Sequence, residues 1–172
     1  MSDLLDFLQR NKQNKGILAS LRRGLSSTTE IYAWPLLAKF KGIGNSQNAR
    51  AVRTVAGLFA YHPLVCTDGN MGTTCRELCG DNEKPWECIE KDGVPTQPGP
   101  MSRKFSHLLA ADVDEICDRV ARIVLYAKSK EIPINYCALE EDLKKWPYAR
   151  EKWASAFWAP EKKDEENKES KV

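Results

Sequence analysis

Apolar residues recur every three or four positions along most of this chain, which is the spacing of an amphipathic helix. In residues 46–61 they lie nearly all round the circumference, so this helix is predicted to be central and buried. No stretch shows convincing alternation of apolar and polar residues. The predicted fold is therefore all-α, either a compact helical bundle or two small helical lobes. The predicted helices cover residues 3–14, 17–23, 31–40, 46–61, 103–111, 113–130, 136–146 and 149–158.

Capping residues and helix breakers set the predicted boundaries. Gly16 is expected to separate the first two helices, and Gly24 to follow the second in the left-handed conformation. Pro35 is tolerated only in the first turn of its helix. The predicted N-caps are Asn45 or Ser46, Ser102, Asp112 in a capping box with Glu115, and Asn135.

Residues 64–100 interrupt the helical pattern with many glycines and prolines. From residue 66 onward they carry three Lys or Arg against seven Asp or Glu, a net charge of −4. We predict a long insertion loop that faces away from nucleic acid and is dispensable for folding of the helices. Residues 1–159 would form one helical domain containing this insertion, and the charged tail 160–172, which has no aromatic residue, is predicted to be disordered.

The net charge of +2 hides a basic N-terminal third, because residues 1–65 hold nine Lys or Arg and only three Asp or Glu. Basic residues on the outer sides of helices are typical of proteins that bind a phosphate backbone, and a solvated helical surface is the plain alternative. The candidate nucleic-acid-binding residues are Arg22, Arg23, Arg50, Arg53, Arg103, Lys104, Arg119, Arg122, Lys144 and Lys145.

Few residues of the chain are suited to catalysis. Its two histidines, His62 and His107, have no orienting third group beside them in the sequence that would complete a nucleophile dyad. Neither a P-loop nor a His-Glu-x-x-His motif is present, so we predict that the protein is not an enzyme. Because no apolar run is long enough to span a membrane and the N-terminus lacks a signal-peptide layout, a cytoplasmic location with reduced cysteines is expected.

Four cysteines in the predicted loop raise the question of a metal. Cys66, Cys75, Cys79 and Cys88 are spaced C-x8-C-x3-C-x8-C. Thiolates are good zinc ligands, and a loop without a core of its own would gain order from a structural zinc. The spacing lacks the closer cysteine pair usual in zinc sites, so free thiols are the alternative, and no other cofactor is expected.

Several segments, taken together and in order, resemble the CasB family, the small subunit of the type I-E CRISPR Cascade complex. The segments that carry the resemblance are Leu21-Arg22-Arg23-Gly24, Ala33-Trp34-Pro35-Leu36-Leu37, Val55-Ala56-Gly57-Leu58-Phe59-Ala60-Tyr61-His62-Pro63, Ser102-Arg103-Lys104-Phe105, Leu108-Leu109-Ala110-Ala111-Asp112, Ile132-Pro133-Ile134-Asn135-Tyr136, Asp142-Leu143-x-x-Trp146 and Trp153-Ala154-x-x-Phe157-Trp158. They span most of residues 15–160. Residues 66–100 depart from the family, in which a shorter loop without cysteines is expected.

The resemblance implies an all-helical subunit that is present as a pair of copies along the crRNA-bound filament. It implies contacts with the large subunit and the repeated backbone subunit. It also implies a role in holding the guide–target duplex and the displaced strand, which stabilises the R-loop, and no nuclease activity. Two other functions stay open, a stand-alone helical nucleic-acid-binding regulatory protein and a zinc-containing structural module.

Overall fold

The computed structural model describes residues 2–81, 83–85, 90–91, 94–95 and 98–159. Its helices are α1 (Asp3–Arg10), α2 (Lys15–Arg23), α3 (Trp34–Leu37), α4 (Gln47–Tyr61), α5 (Met71–Leu78), α6 (Pro100–Leu109), α7 (Ile116–Ser129), α8 (Tyr136–Lys144) and α9 (Arg150–Trp158). Short 3₁₀ turns at Glu30–Tyr32 and Ala38–Phe40 flank α3. Two antiparallel two-residue strands, β1 (Glu90–Lys91) and β2 (Val94–Pro95), pair with each other. The predicted all-α class is confirmed.

Helix α4 is the centre of the bundle, as its apolar circumference predicts. Every residue from Ala51 to Ala60 is buried. Helices α1, α2, α7 and α8 pack around it. One continuous cluster of buried apolar side chains extends from Leu4 in α1 to Phe157 in α9, so the described residues share a single core. Among the described residues, no helix is long and apolar enough to cross a membrane.

Two of the predicted N-caps are confirmed by their hydrogen bonds. The side chain of Ser46 accepts from the backbone N–H of Ala49, and that of Asn135 accepts from Ala138. The predictions for the glycines are wrong. Gly16 lies inside α2, and Gly24 follows α2 with a φ of −64°, which is right-handed backbone.

The predicted start of α6 is wrong because the cap comes from elsewhere in the chain. Gly99 is the N-cap residue and Pro100 opens the helix, while Ser102 is buried within its first turn. The carboxylate of Glu83 accepts from the backbone N–H of Met101 at 3.0 Å and from both the N–H and the hydroxyl of Ser102, at 2.9 and 2.7 Å. Glu83 therefore satisfies amides that the start of a helix leaves unpaired.

Asp112 acts as a cap, but of a turn that precedes α7. Its side chain accepts from the backbone N–H groups of Asp114 and Glu115, both at 2.9 Å. The helix itself begins at Ile116, three residues later than the capping-box pattern predicts. Residues 31–40 also differ from the single predicted helix, since only Trp34–Leu37 is α-helical, with Pro35 in the first turn as expected.

Residues 71–78 correct the prediction that 64–100 is a loop throughout. They form α5, whose residues Met71, Thr74, Cys75 and Leu78 are buried in the common core. The helix packs against α9 so closely that a Cβ on Gly72 would lie 2.0 Å from the carbonyl oxygen of Trp153. This part of the predicted insertion packs in the common core, so we expect its removal to destabilise the bundle. The predicted tail 160–172 lies outside the described residues.

Helices α8 and α9 are joined by a turn built on aromatic packing. The rings of Trp146 and Trp153 lie 4.8 Å apart, and the peptide bond between Trp146 and Pro147 is cis. The indole N–H of Trp153 donates to the buried carboxylate of Asp142 at 2.7 Å, and that of Trp146 donates to the carbonyl of Ala111 at 3.0 Å. The tryptophans in this part of the chain are thus core residues, with both indole donors satisfied.

Candidate nucleic-acid interface

A groove between α6 and α7 gathers several of the predicted cations. Leu108 and Ile123 are buried at its base. The volume of the cavity is about 220 Å³. Its lining residues are Lys104, His107, Leu108, Arg119, Arg122, Ile123 and Tyr126. We call this cavity the α6–α7 groove. It has an apolar base, a cationic wall on each side and no carboxylate among its lining residues.

The cations of the α6–α7 groove are held in different ways. Arg119 donates to the carbonyl of His107 and forms an ion pair of 2.6 Å with Glu115, one turn earlier in the chain. Lys104 is exposed, with its ammonium nitrogen 4.6 Å from the centroid of the Tyr126 ring. Arg122 is exposed and has no ion pair or hydrogen bond with any described residue. Arg122 and Lys104 are therefore available for an anion, whereas Arg119 is fixed as part of the wall.

A second basic surface lies where α2 ends. Arg22 donates through Nε and Nη2 to the carbonyl of Ala60, at 3.0 and 2.8 Å, so it caps the C-terminal end of α4. Its guanidinium lies 5.2 Å from the centroid of the Tyr61 ring. Arg23 lies 4.7 Å from the Tyr32 ring and is exposed. Arg22 has a structural role, and Arg23 presents its charge to solvent.

Arg53 is the most deeply buried of the predicted nucleic-acid-binding residues. Only 3% of it is exposed, and it donates to the carbonyls of Gly42 and Gly44. It also pairs with Glu30 at 3.4 Å. Arg53 holds the 24–44 segment against α4 through these contacts, and its role as a phosphate ligand stays a prediction. Arg50 lies three residues earlier on α4; its side chain is 25% exposed and forms an ion pair of 2.7 Å with Asp114.

The last two predicted cations are paired along α8. Lys144 lies 2.6 Å from Glu140, and Lys145 lies 2.8 Å from Glu141, each at i, i+4 spacing. Their pairing lowers the pKa of Glu141 and raises that of Lys145, through the hydrogen bond first and the opposite charges second. A phosphate would have to compete with these carboxylates. Arg103, by contrast, is exposed at the start of α6, near Glu83.

A sequence model of the family described as CRISPR-associated protein Cse2 matches residues 17–158 of this chain. The chain belongs to the Cse2 family. The sequence resemblance to the CasB family is thereby confirmed.

Solved structures of Cse2 proteins have the same fold as this Cse2-family chain. A CRISPR-associated protein of the Cse2 family from Thermus thermophilus has a TM-score of 0.69 at 23% identity, over 91% of this chain and 98% of that one. A structure of CasB from the same organism has a TM-score of 0.64 at 24% identity, with the same shares of 91% and 98%. A chain of a CRISPR RNA-guided surveillance complex has a TM-score of 0.61 at 19% identity, over 90% of this chain and 85% of that one. No curated protein sequence gives a significant match.

The cysteines of this Cse2-family chain are distributed between the core and its edge. Burial raises the pKa of Cys75 above its ordinary value and that of Cys79 to about 11. Cys66 is half-buried, and Cys88 lies outside the described residues. Among the residues that are described, no group of three or more His, Cys, Asp or Glu is placed to hold a metal ion. The four-cysteine zinc site stays a prediction.

Three residues at or near these two basic surfaces are not among the nucleic-acid-binding residues predicted from the sequence. His107 lines the α6–α7 groove, and Lys130 lies 5.9 Å from the Tyr126 ring. The ammonium nitrogen of Lys128 lies 5.6 Å from the centroid of the Tyr61 ring, which Arg22 also contacts. Arg119, Arg122, Tyr126 and Lys130 have the spacing of one helical stripe, so following this spacing one turn beyond Tyr126 in the sequence finds Lys130. His107 could be found only from the packing of α6 on α7.

Proposed function

We propose that this Cse2-family chain is a non-catalytic subunit of a CRISPR surveillance complex and binds nucleic-acid backbone there. The observation that carries the proposal is the α6–α7 groove, where Lys104 and Arg122 are available cations and no lining residue is acidic. Cations concentrated in this way bind phosphates without reading sequence. A related fold in a surveillance complex supports the same setting.

The partners proposed are crRNA, target DNA including its displaced strand, the large and backbone subunits, and a second copy of this chain. Exchange of a DNA duplex for an RNA–DNA duplex is nearly balanced in energy, so a few phosphate contacts can decide whether the R-loop stays open. Guide pairing supplies the sequence choice. The groove and Arg103 then supply contacts that do not depend on sequence.

The proposal is tested by charge removal in reconstituted complexes. Arg103→Ala/Arg122→Ala removes two exposed cations, and Lys144→Ala/Lys145→Ala is a control with the same change in net charge at paired lysines. The first variant should weaken target binding and lower the slope of log affinity against log salt by about 1.4, at about 0.7 per contact on a single strand. The control should leave both nearly unchanged.

Permanganate reactivity of displaced-strand thymines reports whether the R-loop is open. We expect complexes with Arg103→Ala/Arg122→Ala, and complexes without the subunit, to lose this reactivity while guide RNA stays bound. If both match the complete complex in reactivity and target affinity, the R-loop role is wrong. A purely architectural role between the large and backbone subunits would then replace it.

A further inference from the structure

The α6–α7 groove has a feature that phosphate binding does not require. Its base is apolar, formed by the buried side chains of Leu108 and Ile123, and its wall includes the half-buried ring of Tyr126. An exposed cation can bind a phosphate on a convex surface just as it can in a cavity, so phosphate binding does not need a cavity. An apolar floor beside an aromatic ring instead suits a flat, partly apolar group.

Tyr126 also lines a neighbouring cavity, so the ring is accessible from two sides. This second cavity has a volume of about 180 Å³ and is lined by Pro100, Met101 and Lys104 as well as by Tyr126, Cys79 and Glu83. Lys104 and Tyr126 thus stand between the two cavities. Two ammonium groups, those of Lys104 and Lys130, lie 4.6 and 5.9 Å from the centre of the ring. Both ammonium groups lie over the ring and both side chains are exposed, so a base that stacks on Tyr126 displaces an ammonium group, which then binds a flanking phosphate.

Size and charge together select the occupant. At about 220 Å³ the α6–α7 groove is smaller than the pockets of about 300–1,000 Å³ that take drug-sized ligands, and it suits one ring system. Its cationic walls disfavour an apolar or basic peptide segment and favour a group that carries anionic neighbours. A nucleobase in a single strand has this combination, with a flat apolar face and a phosphate on each side.

We propose, on the basis of the proposed function, that an unstacked base of a single strand enters the α6–α7 groove and lies against Tyr126. The flanking phosphates bind the exposed cations Lys104 and Arg122. Bases in a duplex are stacked and paired, so they do not reach the groove. The subunit should therefore prefer single-stranded segments to duplex, without preferring a particular sequence.

Two strands with the same backbone charge separate base binding from phosphate binding. The probes are an oligothymidylate and an abasic strand of equal length, titrated with the full chain at several salt concentrations. Wild type should bind the oligothymidylate at least about fivefold more tightly, because stacking on an aromatic residue is worth about 1–3 kcal/mol per base. Tyr126→Ala should abolish this preference and leave affinity for the abasic strand and the salt slope nearly unchanged.

Two further variants distinguish a lost base site from a lost fold. Tyr126→Phe keeps the ring and should keep the preference. Leu125→Ala is the control, because Leu125 is 41% exposed on the same helix and does not line the groove.

The outcomes separate this inference from the proposed function. If wild type binds both strands equally, and Arg103→Ala/Arg122→Ala still lowers the salt slope, backbone binding stands and the base site is wrong. If Tyr126→Ala keeps the full preference for the base-containing strand, the base site is also wrong. If the chain binds neither strand, alone or within a reconstituted complex, both proposals fail.

Discussion

Gly72 gives a sharp test of whether residues 71–78 belong to the core, because two physical effects predict opposite results for Gly72→Ala. Glycine is less favourable than alanine within a helix by about 1 kcal/mol, so helix propensity alone predicts that the change stabilises the protein. In the structure, however, the added Cβ would lie 2.0 Å from the carbonyl oxygen of Trp153 and 2.8 Å from its carbonyl carbon. Both are backbone atoms of α9, which cannot rotate away as a flexible side chain would.

The size of the effect follows from how far the helices must separate. Ordinary contact with a Cβ begins near 3.4 Å, so α5 and α9 would have to move apart by more than an ångström. That shift loosens the buried side chains Met71, Cys75 and Leu78. Overpacking of this kind costs about 1–3 kcal/mol and sometimes more. We expect a net loss of about 2 kcal/mol in the free energy of unfolding, which lowers the thermal midpoint by about 4–8 °C.

Gly16 is the matched control for this experiment. Like Gly72, it is the second residue of a short helix whose N-cap is an asparagine, Asn14 in one case and Asn70 in the other. A Cβ on Gly16 meets only the side-chain oxygen of Asn14, at 3.5 Å. Gly16→Ala should therefore be neutral or stabilising by up to about 1 kcal/mol. Urea titrations give both values. If Gly72→Ala is as stable as Gly16→Ala, α5 does not pack on α9 as described.

Three further predictions concern side chains that hold the fold. Burial acts to raise the pKa of Glu83, but hydrogen bonds from Ser102 and Met101 outweigh it and leave the pKa lowered, so these donors stabilise the ionised carboxylate of Glu83. Glu83→Gln should lower the free energy of unfolding by about 1 kcal/mol at neutral pH. In urea titrations this difference from wild type should shrink as the pH falls below about 4.3, the pKa of an unfolded glutamate, and then through the lowered pKa of the folded state. A difference that does not change with pH would contradict an ionised Glu83. Arg53→Ala should lower the free energy of unfolding by about 3 kcal/mol, because it leaves Glu30 and two carbonyls without their partner. The slope of log affinity against log salt for strand binding should stay unchanged, and a lower slope would show that Arg53 contacts phosphate. Cys75 and Cys79 are packed as buried thiols, so dialysis of the wild-type protein against a chelator should leave its thermal midpoint unchanged. If the chelator instead lowers the midpoint of the wild type but not that of Cys66→Ser, the four-cysteine zinc site is established.

The helices that could be predicted are those whose pattern is long and whose caps are local. Helix α4 has an apolar circumference over 15 residues and a serine directly before it, so both its burial and its start follow from the sequence. The start of α8 follows from Asn135 in the same way. The start of α6 could not be predicted, because its amides are satisfied by Glu83, which lies 18 residues before Met101 in the chain.

Helix α5 was missed because its stability comes from tertiary packing rather than from its own pattern. It has only eight residues, and Gly72 in its first turn is a helix breaker when the sequence is considered alone. The same glycine is what lets α9 approach, so the residue that weakens the local prediction makes the packing possible. A local signal was present, since Asn70 and Thr73 form a reciprocal capping box.

Some candidate cations are buried and others are exposed, depending on the neighbouring segments of the fold. The local sequence around each cation does not reveal those neighbours. Arg50 and Arg53 are three residues apart on α4, and the sequence analysis predicts both to be nucleic-acid-binding residues. The chain between Gly24 and Gly44 covers Arg53, whereas Arg50 remains at the edge beside Asp114. Helical spacing places both residues on one side, but only the tertiary structure decides whether that side is covered.

A chain with a net charge of only +2 can still bind a polyanion, because binding depends on local charge. At physiological ionic strength, charges farther apart than about 8 Å are largely screened from each other. In α8, Glu140 and Glu141 are paired with Lys144 and Lys145. The carboxylate of Glu83 lines a cavity together with Lys104, but it accepts hydrogen bonds from the amides of α6. A strand in the α6–α7 groove would therefore encounter Lys104 and Arg122 with little opposition. The carboxylates of Glu83, Glu140 and Glu141 are thus engaged by other groups, while Lys104 and Arg122 remain available in the α6–α7 groove.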